Sequence, residues 1–322
     1  MRKGISLLLA VMVMLLCGCT AGELNRYPFI SQEQTPPRTR LTLVAGQEEW
    51  LFALGSQLSE VVADLSGGAV SLQVMPAENA AETVAAGQGD LCFVSSGQLT
   101  EVDPGLSFLQ LPFLFATPED ALACLNGEDS PVTASALAQE RYGSFIGGYY
   151  DSGWCIAVNT HTANDLLRWG RFGVDQRFGD RECYLALGAD ETATGDTKRL
   201  IQLLSEGELA AVEMLPQKAP MVQEELALCL SRHRIEAQLL FIRQGAAGEE
   251  AVQCLRQAFN ETVTQAAAQR MQLEQEQLEA WGGEILSEET AGSAFEQAMY
   301  FYRWQGMAWG LPEGFADRWC IG

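Results

Sequence analysis

Leu109-Gln110-Leu111-Pro112-Phe113-Leu114-Phe115 is apolar at six of its seven positions and belongs in an interior. Pro112, at its centre, has a fixed φ and no N–H to give to a ladder or a helical turn. A central strand and a helix running through it are both disfavoured. A helix start follows: Thr117 as N-cap, Pro118 at the first helical position, and Glu119 and Asp120 in the first turn, where acids complement the helix dipole. The stretch reads as an irregular buried segment that turns into a helix. Its backbone groups must find partners outside any regular ladder. It is either a plug for a core or a segment with a task of its own.

Upstream, Leu41 to Ala45 reads as a strand. Trp50, Leu51, Leu54, Leu58, Val61, Val62 and Leu65 then recur at helical spacing until Ser66-Gly67-Gly68. A second strand runs from Val70 to Val74, an alanine-rich helix from Asn79 to Ala86, and a nearly continuous apolar strand from Asp90 to Val94. Such a strand suits a sheet covered on both faces. The alternation strand-helix-strand-helix-strand predicts a parallel sheet in an α/β domain.

Downstream, helices are expected over Pro118–Leu125 and Ala134–Gln139. A strand is expected at Ser144-Phe145-Ile146, ahead of Gly147-Gly148, and another over Trp154–Val158. A helix is expected at Thr197–Leu204 and strands at Leu209–Met214 and Ala237–Ile242, with a second α/β unit over residues 156–236. Residues 249–281 contain neither Pro nor Gly and carry an apolar stripe through Val252, Leu255, Phe259 and Val263. As one helix they would reach about 50 Å, long enough to back two lobes. The Gln-rich second half is alternatively an exposed coiled-coil face. A last helix is expected from Glu288 to Trp304, and no internal repeat is visible.

The N-terminus reads as an export signal. Arg2 and Lys3 precede an apolar run from Ile5 to Leu16, too short to span a bilayer. The run closes on Leu16-Cys17-Gly18-Cys19, which resembles a bacterial lipobox, with Cys19 as the lipid-bearing residue; an ordinary signal peptide is the alternative. A lipid there anchors a protein to the membrane without spanning it. Residues 1–18 are thus a lipoprotein signal peptide and 19–39 a tether rich in Pro and Gln. Beyond them, 40–155 form a first lobe, 156–236 a second, and 237–322 a C-terminal region with a return strand, the long helix 249–281 and final helices packing on both lobes.

With 48% hydrophobic residues the chain can fill a core, and its net charge of −22 repels nucleic acid. Of nine cysteines, seven lie beyond Cys19, none in a C-x-x-C pair. Zinc and thioredoxin-like chemistry are therefore poorly supported, and disulfide pairing is left open. Cys92 and Cys155 stand in apolar contexts, where a free Cys acts as a small hydrophobe. His161 and His233 are the only histidines and share no metal-ligand spacing. No nucleophile elbow or phosphate-cradling glycine loop is present. No metal, cofactor or catalytic residue is expected, and the chain reads as a non-enzyme. A secreted hydrolase with unrecognised acids is the alternative of another class. An exported, two-unit α/β chain without catalytic motifs suggests a solute-binding protein whose lobes close about a hinge, with the ligand at the carboxyl ends of the strands.

Leu111-Pro112-Phe113-Leu114-Phe115 followed by Thr117-Pro118-Glu119-Asp120-Ala121 resembles the solute-binding proteins of tripartite ATP-independent periplasmic (TRAP) transporters. Gly89-Asp90-Leu91, Gly153-Trp154, Asn164-Asp165-Leu166 and Ser205-Glu206-Gly207 through Val212-Glu213 follow that family's order over residues 40 to 310. The resemblance implies a two-lobed periplasmic-binding-protein-like fold. It also implies a small-molecule solute of the organic-acid class and delivery to TRAP permease subunits from an extracytoplasmic site at the cell membrane. A binding protein of another importer, or a sensor, is the alternative within the class.

The chain departs from the family at its polar anchors. Cys155 stands where the family places an Arg after the Gly-aromatic pair, Gly173 where it places a second Arg, and Met214 where an Asn follows the acid Glu213. Arg171, two residues before Gly173 and on the same strand face, is the candidate substitute for the missing bidentate fork; the alternative is a neutral, cationic or apolar ligand. The remaining candidates are Gln47, Glu48 and Trp50 after the first strand, Ser95 and Ser96 after the third, and Tyr149, Tyr150, Asp151 and Trp154 at the first crossing between lobes.

Overall fold

The computed structural model describes residues 38–111, 114–115, 118–150, 155–158, 170–175, 184–185, 188–214, 216–222, 226–230, 237–286, 294–315 and 318. Eleven strands lie among them, in two sheets. β1 (Thr39–Ala45), β2 (Val70–Pro76), β3 (Leu91–Ser95), β4 (Ser144–Tyr150) and β10 (Ala237–Ile242) make a sheet of order β2-β1-β3-β10-β4. β5 (Cys155–Val158), β6 (Arg171–Asp175), β7 (Glu191–Gly195), β8 (Ala211–Met214), β9 (Ala227–Leu230) and β11 (Ile285–Leu286) make the other, of order β11-β9-β5-β8-β6-β7. β1 is parallel to β2 and β3, and β6 to β7 and β8. In each sheet one strand arriving from the other sheet, β10 or β5, lies antiparallel between two neighbours.

Helices cover the first sheet on both faces, and the period-2 pattern sorts its side chains between them. Leu41, Leu43, Leu91, Phe93, Leu240 and Ile242 point to the face held by α1 (Glu49–Leu65) and α8 (Glu249–Trp281). Val44, Cys92, Val94, Leu239 and Phe241 point to the opposite face, which also gathers α2 (Ala80–Ala85), α3 (Ser96–Val102) and the opening apolar stretch. Burial pushes the Cys92 thiol up to about 12, in keeping with a small hydrophobe. Cys92 and Cys124 are buried free thiols.

β4 shows how tightly these layers meet. Rather than stopping before Gly147-Gly148, the strand continues to Tyr150, because both glycines admit a neighbouring helix. A Cβ on Gly147 would stand 2.4 Å from the Phe259 ring of α8, and one on Gly148 2.9 Å from Leu125. The register against β10 slips between Leu240 and Phe241, so Ile146 and Gly147 share a face and Tyr150 returns to that of Phe145. β4 is an edge strand. The side chain of Asn126, at the end of α4 (Pro118–Asn126), closes that edge. Its Oδ1 accepts from Gly148 N at 2.6 Å and its Nδ2 donates to Gly148 O at 3.0 Å, as a neighbouring strand would.

The opening stretch is irregular only in part. Leu109 and Gln110 finish a 3₁₀ helix, Pro104–Gln110, while Leu111, Leu114 and Phe115 are buried outside any helix or strand. Pro112, Phe113 and Thr117 lie outside the described residues. α8 is one uninterrupted helix. Its first half, to Ala267, packs on the first sheet, whereas Leu278 packs with the second and Trp281 Nε1 donates to Val222 O at 3.2 Å. Its Gln-rich half carries side-chain bonds at i,i+4, Gln272 to Glu276 and Gln275 to Glu279. α9 (Ala294–Gln305) follows. Among the described residues no helix is long and apolar enough to cross a membrane.

Candidate functional site

Two strand-to-strand connections pass directly between the sheets, and α8 carries the chain across once more to β11; both direct passages join the same kind of edge. Tyr150 ends β4 and Cys155 opens β5; Leu230 ends β9 and Ala237 opens β10. β5 and β10 run antiparallel to their neighbours, so their first residues stand beside the last residues of the parallel strands: Cys155 beside Met214, and Ala237 beside Tyr150. Five Cα steps, from Tyr150 to Cys155, reach at most ~18 Å. The two carboxyl edges are therefore held close to one another. Ala45 and Ser95 border the opening on one side, and Asp175, Gly195 and Met214 on the other. Crevices of this kind, outside the carboxyl ends of strands, are where open α/β sheets take ligands.

Local sequence explains how several groups reach this edge. Ser95 forms a capping box for α3: its hydroxyl accepts from Gln98 N at 3.2 Å, and its own N–H donates to Gln98 Oε1 at 3.1 Å. Ser96, fully buried, accepts from Ala237 N at 3.1 Å and so fixes the return point of the second passage. Gln47 and Glu48 are exposed in the turn from β1 into α1. Trp50 is half-buried, its ring centroid 6.3 Å from that of Tyr149.

Other candidates occupy different surroundings from those their positions suggested. Tyr150 is buried in the core, its ring edge-on to Phe115 and its hydroxyl donating to Leu109 O at 3.0 Å. It supplies one of the partners that the apolar stretch needs, and burial raises its pKa well above the usual phenol value. Met214 is buried with Leu200, Leu204 and Val212 under α7 (Thr197–Ser205). Arg171 is the first residue of β6, at the amino end, about 13 Å from the carboxyl edge. Its Nε lies 3.3 Å from Glu191 Oε1, an ion pair without hydrogen-bond alignment, between half-exposed side chains.

Glu213 is fully buried and accepts a 2.6 Å hydrogen bond from the Tyr184 hydroxyl. Tyr184 is itself buried and stacked on Phe172 of β6, centroids 4.9 Å apart. A carboxylate taken out of water needs such donors. Glu213 thus ties the β6–β7 connection, which leaves the carboxyl edge at Asp175, down onto the second sheet. Sequence reasoning missed Tyr184: an acid inside Ala211-Val212-Glu213-Met214 signals that a buried donor exists, without saying which. Ser96, a candidate beside Ser95 at the end of β3, instead holds the return point of the second passage. Asp151, Trp154 and Cys19 lie outside the described residues, as does the side chain of Cys155. Among the described residues no group of three or more His, Cys, Asp or Glu is placed to hold a metal ion.

No protein-family model matches the chain, and no curated protein sequence does. Solved structures do. A TRAP periplasmic solute-binding protein from Rhodobacter sphaeroides, in an apo open form, superposes with a TM-score of 0.69 at 16% identity, over 86% of this chain and 94% of that one. One from Ochrobactrum anthropi gives 0.65 at 16% identity, over 87% and 93%. One from Desulfovibrio desulfuricans, with bound sn-glycerol-3-phosphate, gives 0.62 at 13% identity, over 87% and 96%. The chain has the two-lobed fold of the TRAP periplasmic solute-binding proteins.

Proposed function

We propose that the protein captures a small polar solute between its lobes, outside the cytoplasm, and delivers it to a TRAP-type membrane permease. The observation that carries this reading is the double passage of the chain between the carboxyl edges of two sheets. It makes a crevice and the hinge that closes it from the same two connections. The glycerol phosphate held by the Desulfovibrio protein supports a small phosphate- or carboxylate-bearing solute. Binding and closure are the whole mechanism: affinity for the closed form shifts the population toward it. Gln47, Glu48 and Ser95 at the carboxyl edge of the first sheet, with Asp151, Trp154 and Cys155 at the first crossing, are the proposed ligand neighbours. Arg171, paired with Glu191 at the far edge, lies outside the site.

A panel of organic acids, sugar acids, phosphate esters and neutral polyols, read by thermal shift, tests this. At least one member at one hundred times its Kd stabilises by about 2.7 kcal/mol, without turnover. Arg171→Met leaves that shift intact and costs less than about 1 kcal/mol of stability, as for an exposed ion pair. A shift lost in Arg171→Met restores Arg171 as the anchor; conversion of a panel member to product rejects the binding-protein reading. The Leu16-Cys17-Gly18-Cys19 motif supports a lipid at Cys19 holding the protein at the membrane. Cys19→Ala then moves it from the membrane to the soluble fraction, and retention in the membrane argues against the anchor.

A further inference from the structure

A cavity of about 440 Å³ lies away from the strand ends, where the 3₁₀ helix Pro104–Gln110 meets residues 129–135, 312–315 and 318. None of the carboxyl-edge residues lines it. α3, starting at Ser95, carries the chain about 10 Å from that edge before Asp103 reaches the cavity. The size falls within the ~300–1,000 Å³ of small-molecule sites.

The walls are tied together by polar links. Asp103 Oδ2 accepts from the Ser135 hydroxyl at 2.5 Å and its Oδ1 from Gly105 N at 3.0 Å. Ser135 in turn accepts from Ala138 N, capping α6 (Ala136–Tyr142). Across the rim Arg318 donates to Asp129 Oδ2 at 2.7 Å, joining segments 189 residues apart. Leu106, Phe108 and Phe315, all buried, supply an apolar base, with the two rings edge-to-face at 4.9 Å. The charged groups at the lining are Asp103, Asp129, Glu313 and Arg318, three acids to one base.

An aromatic base beneath a net-negative rim selects one ligand chemistry. Organic anions are repelled by this rim. An apolar body fills the base, and a cationic end is drawn to the carboxylates. We propose that this cavity is a second small-molecule site, taking a small amphiphilic amine. The proposal stands independently of the crevice between the lobes.

Tryptamine and indole-3-propionate, sharing a ring and differing in charge sign, are the probes. Isothermal titration of the purified protein is expected to give tryptamine a Kd at least tenfold lower than that of indole-3-propionate. Hydrogen-exchange protection is expected over residues 103–108 and 312–315. Ala134 lines the cavity and is exposed, so Ala134→Trp fills the space from the solvent side and weakens tryptamine at least tenfold. Should that variant lose its cooperative melt, Glu313→Lys at the exposed rim serves instead, with a weakening of about fivefold expected. Overturning results are no tryptamine binding, equal affinity for both probes, protection elsewhere, or affinity unchanged in the folded variants.

Discussion

Gly143→Ala is expected to destabilise the protein by about 4 kcal/mol, read as a lower midpoint in chemical denaturation. Gly143 ends α6 and turns the chain into β4 with φ 99° and ψ −156°, a conformation open almost only to glycine. Backbone strain alone contributes about 1–3 kcal/mol. The added methyl would also stand 2.1 Å from the carbonyl oxygen of Ile242 and 3.0 Å from Arg243 Cα. Both are backbone atoms at the end of β10, which cannot rotate aside, so relief requires moving a strand. Gly67→Ala is the control. Its φ of 58° carries strain but a Cβ there meets nothing within 4 Å, so the loss should be only about 1 kcal/mol. Equal losses at the two sites would show that the contact with β10 contributes nothing.

Asn126→Leu follows, with an expected loss of about 3 kcal/mol. Leucine has nearly the shape of asparagine, so packing changes little. The cost lies in the N–H and C=O of Gly148, both bonded to the Asn126 amide and sitting on an edge strand with no further neighbour. An unpaired buried backbone group costs about 1–3 kcal/mol. Asn126→Asp tests the geometry: its carboxylate still accepts from Gly148 N but sets a second acceptor against Gly148 O, so a loss is expected here too. A neutral Asn126→Leu would mean that water satisfies the β4 edge equally well.

Much of the architecture could be read from residue patterns. The run Glu249–Trp281 has no helix breaker and Gly282 follows it in the left-handed conformation, so both ends of α8 were marked. The strands Leu91–Ser95 and Ala237–Ile242 are apolar on both faces, and covered sheets ask for that. Three elements carried too weak a pattern. Glu191–Gly195 is a polar edge strand, and edges are kept polar to avoid unwanted pairing. Ser96–Val102 is a single short helix that its capping box announces more clearly than any apolar stripe. β4 looked finished at Gly147 because a glycine pair signals a turn locally. Here the glycines exist for Phe259 and Leu125, more than 100 and more than 20 residues away in the chain.

The site was legible to a smaller degree, for the same reason. Strand ends can be placed from sequence, and Gln47, Glu48 and Ser95 do stand at them. The partner of a side chain cannot. Glu191 beside Arg171 depends on the parallel register of β6 with β7, and Tyr184 beneath Glu213 on the path of a connection. Family order singles out both Arg171 and Glu213, and the fold gives each a partner within the protein. The apolar stretch repeats the lesson. Only the fold shows that the Leu109 carbonyl is satisfied by Tyr150, the last residue before the first passage between sheets.

Small-angle X-ray scattering, with and without the panel member that raises the melting temperature, tests the central claim most directly. Closure of two lobes over a solute predicts a smaller radius of gyration at saturation, reversed when the solute is dialysed away. A radius unchanged at saturating solute would contradict capture by lobe closure.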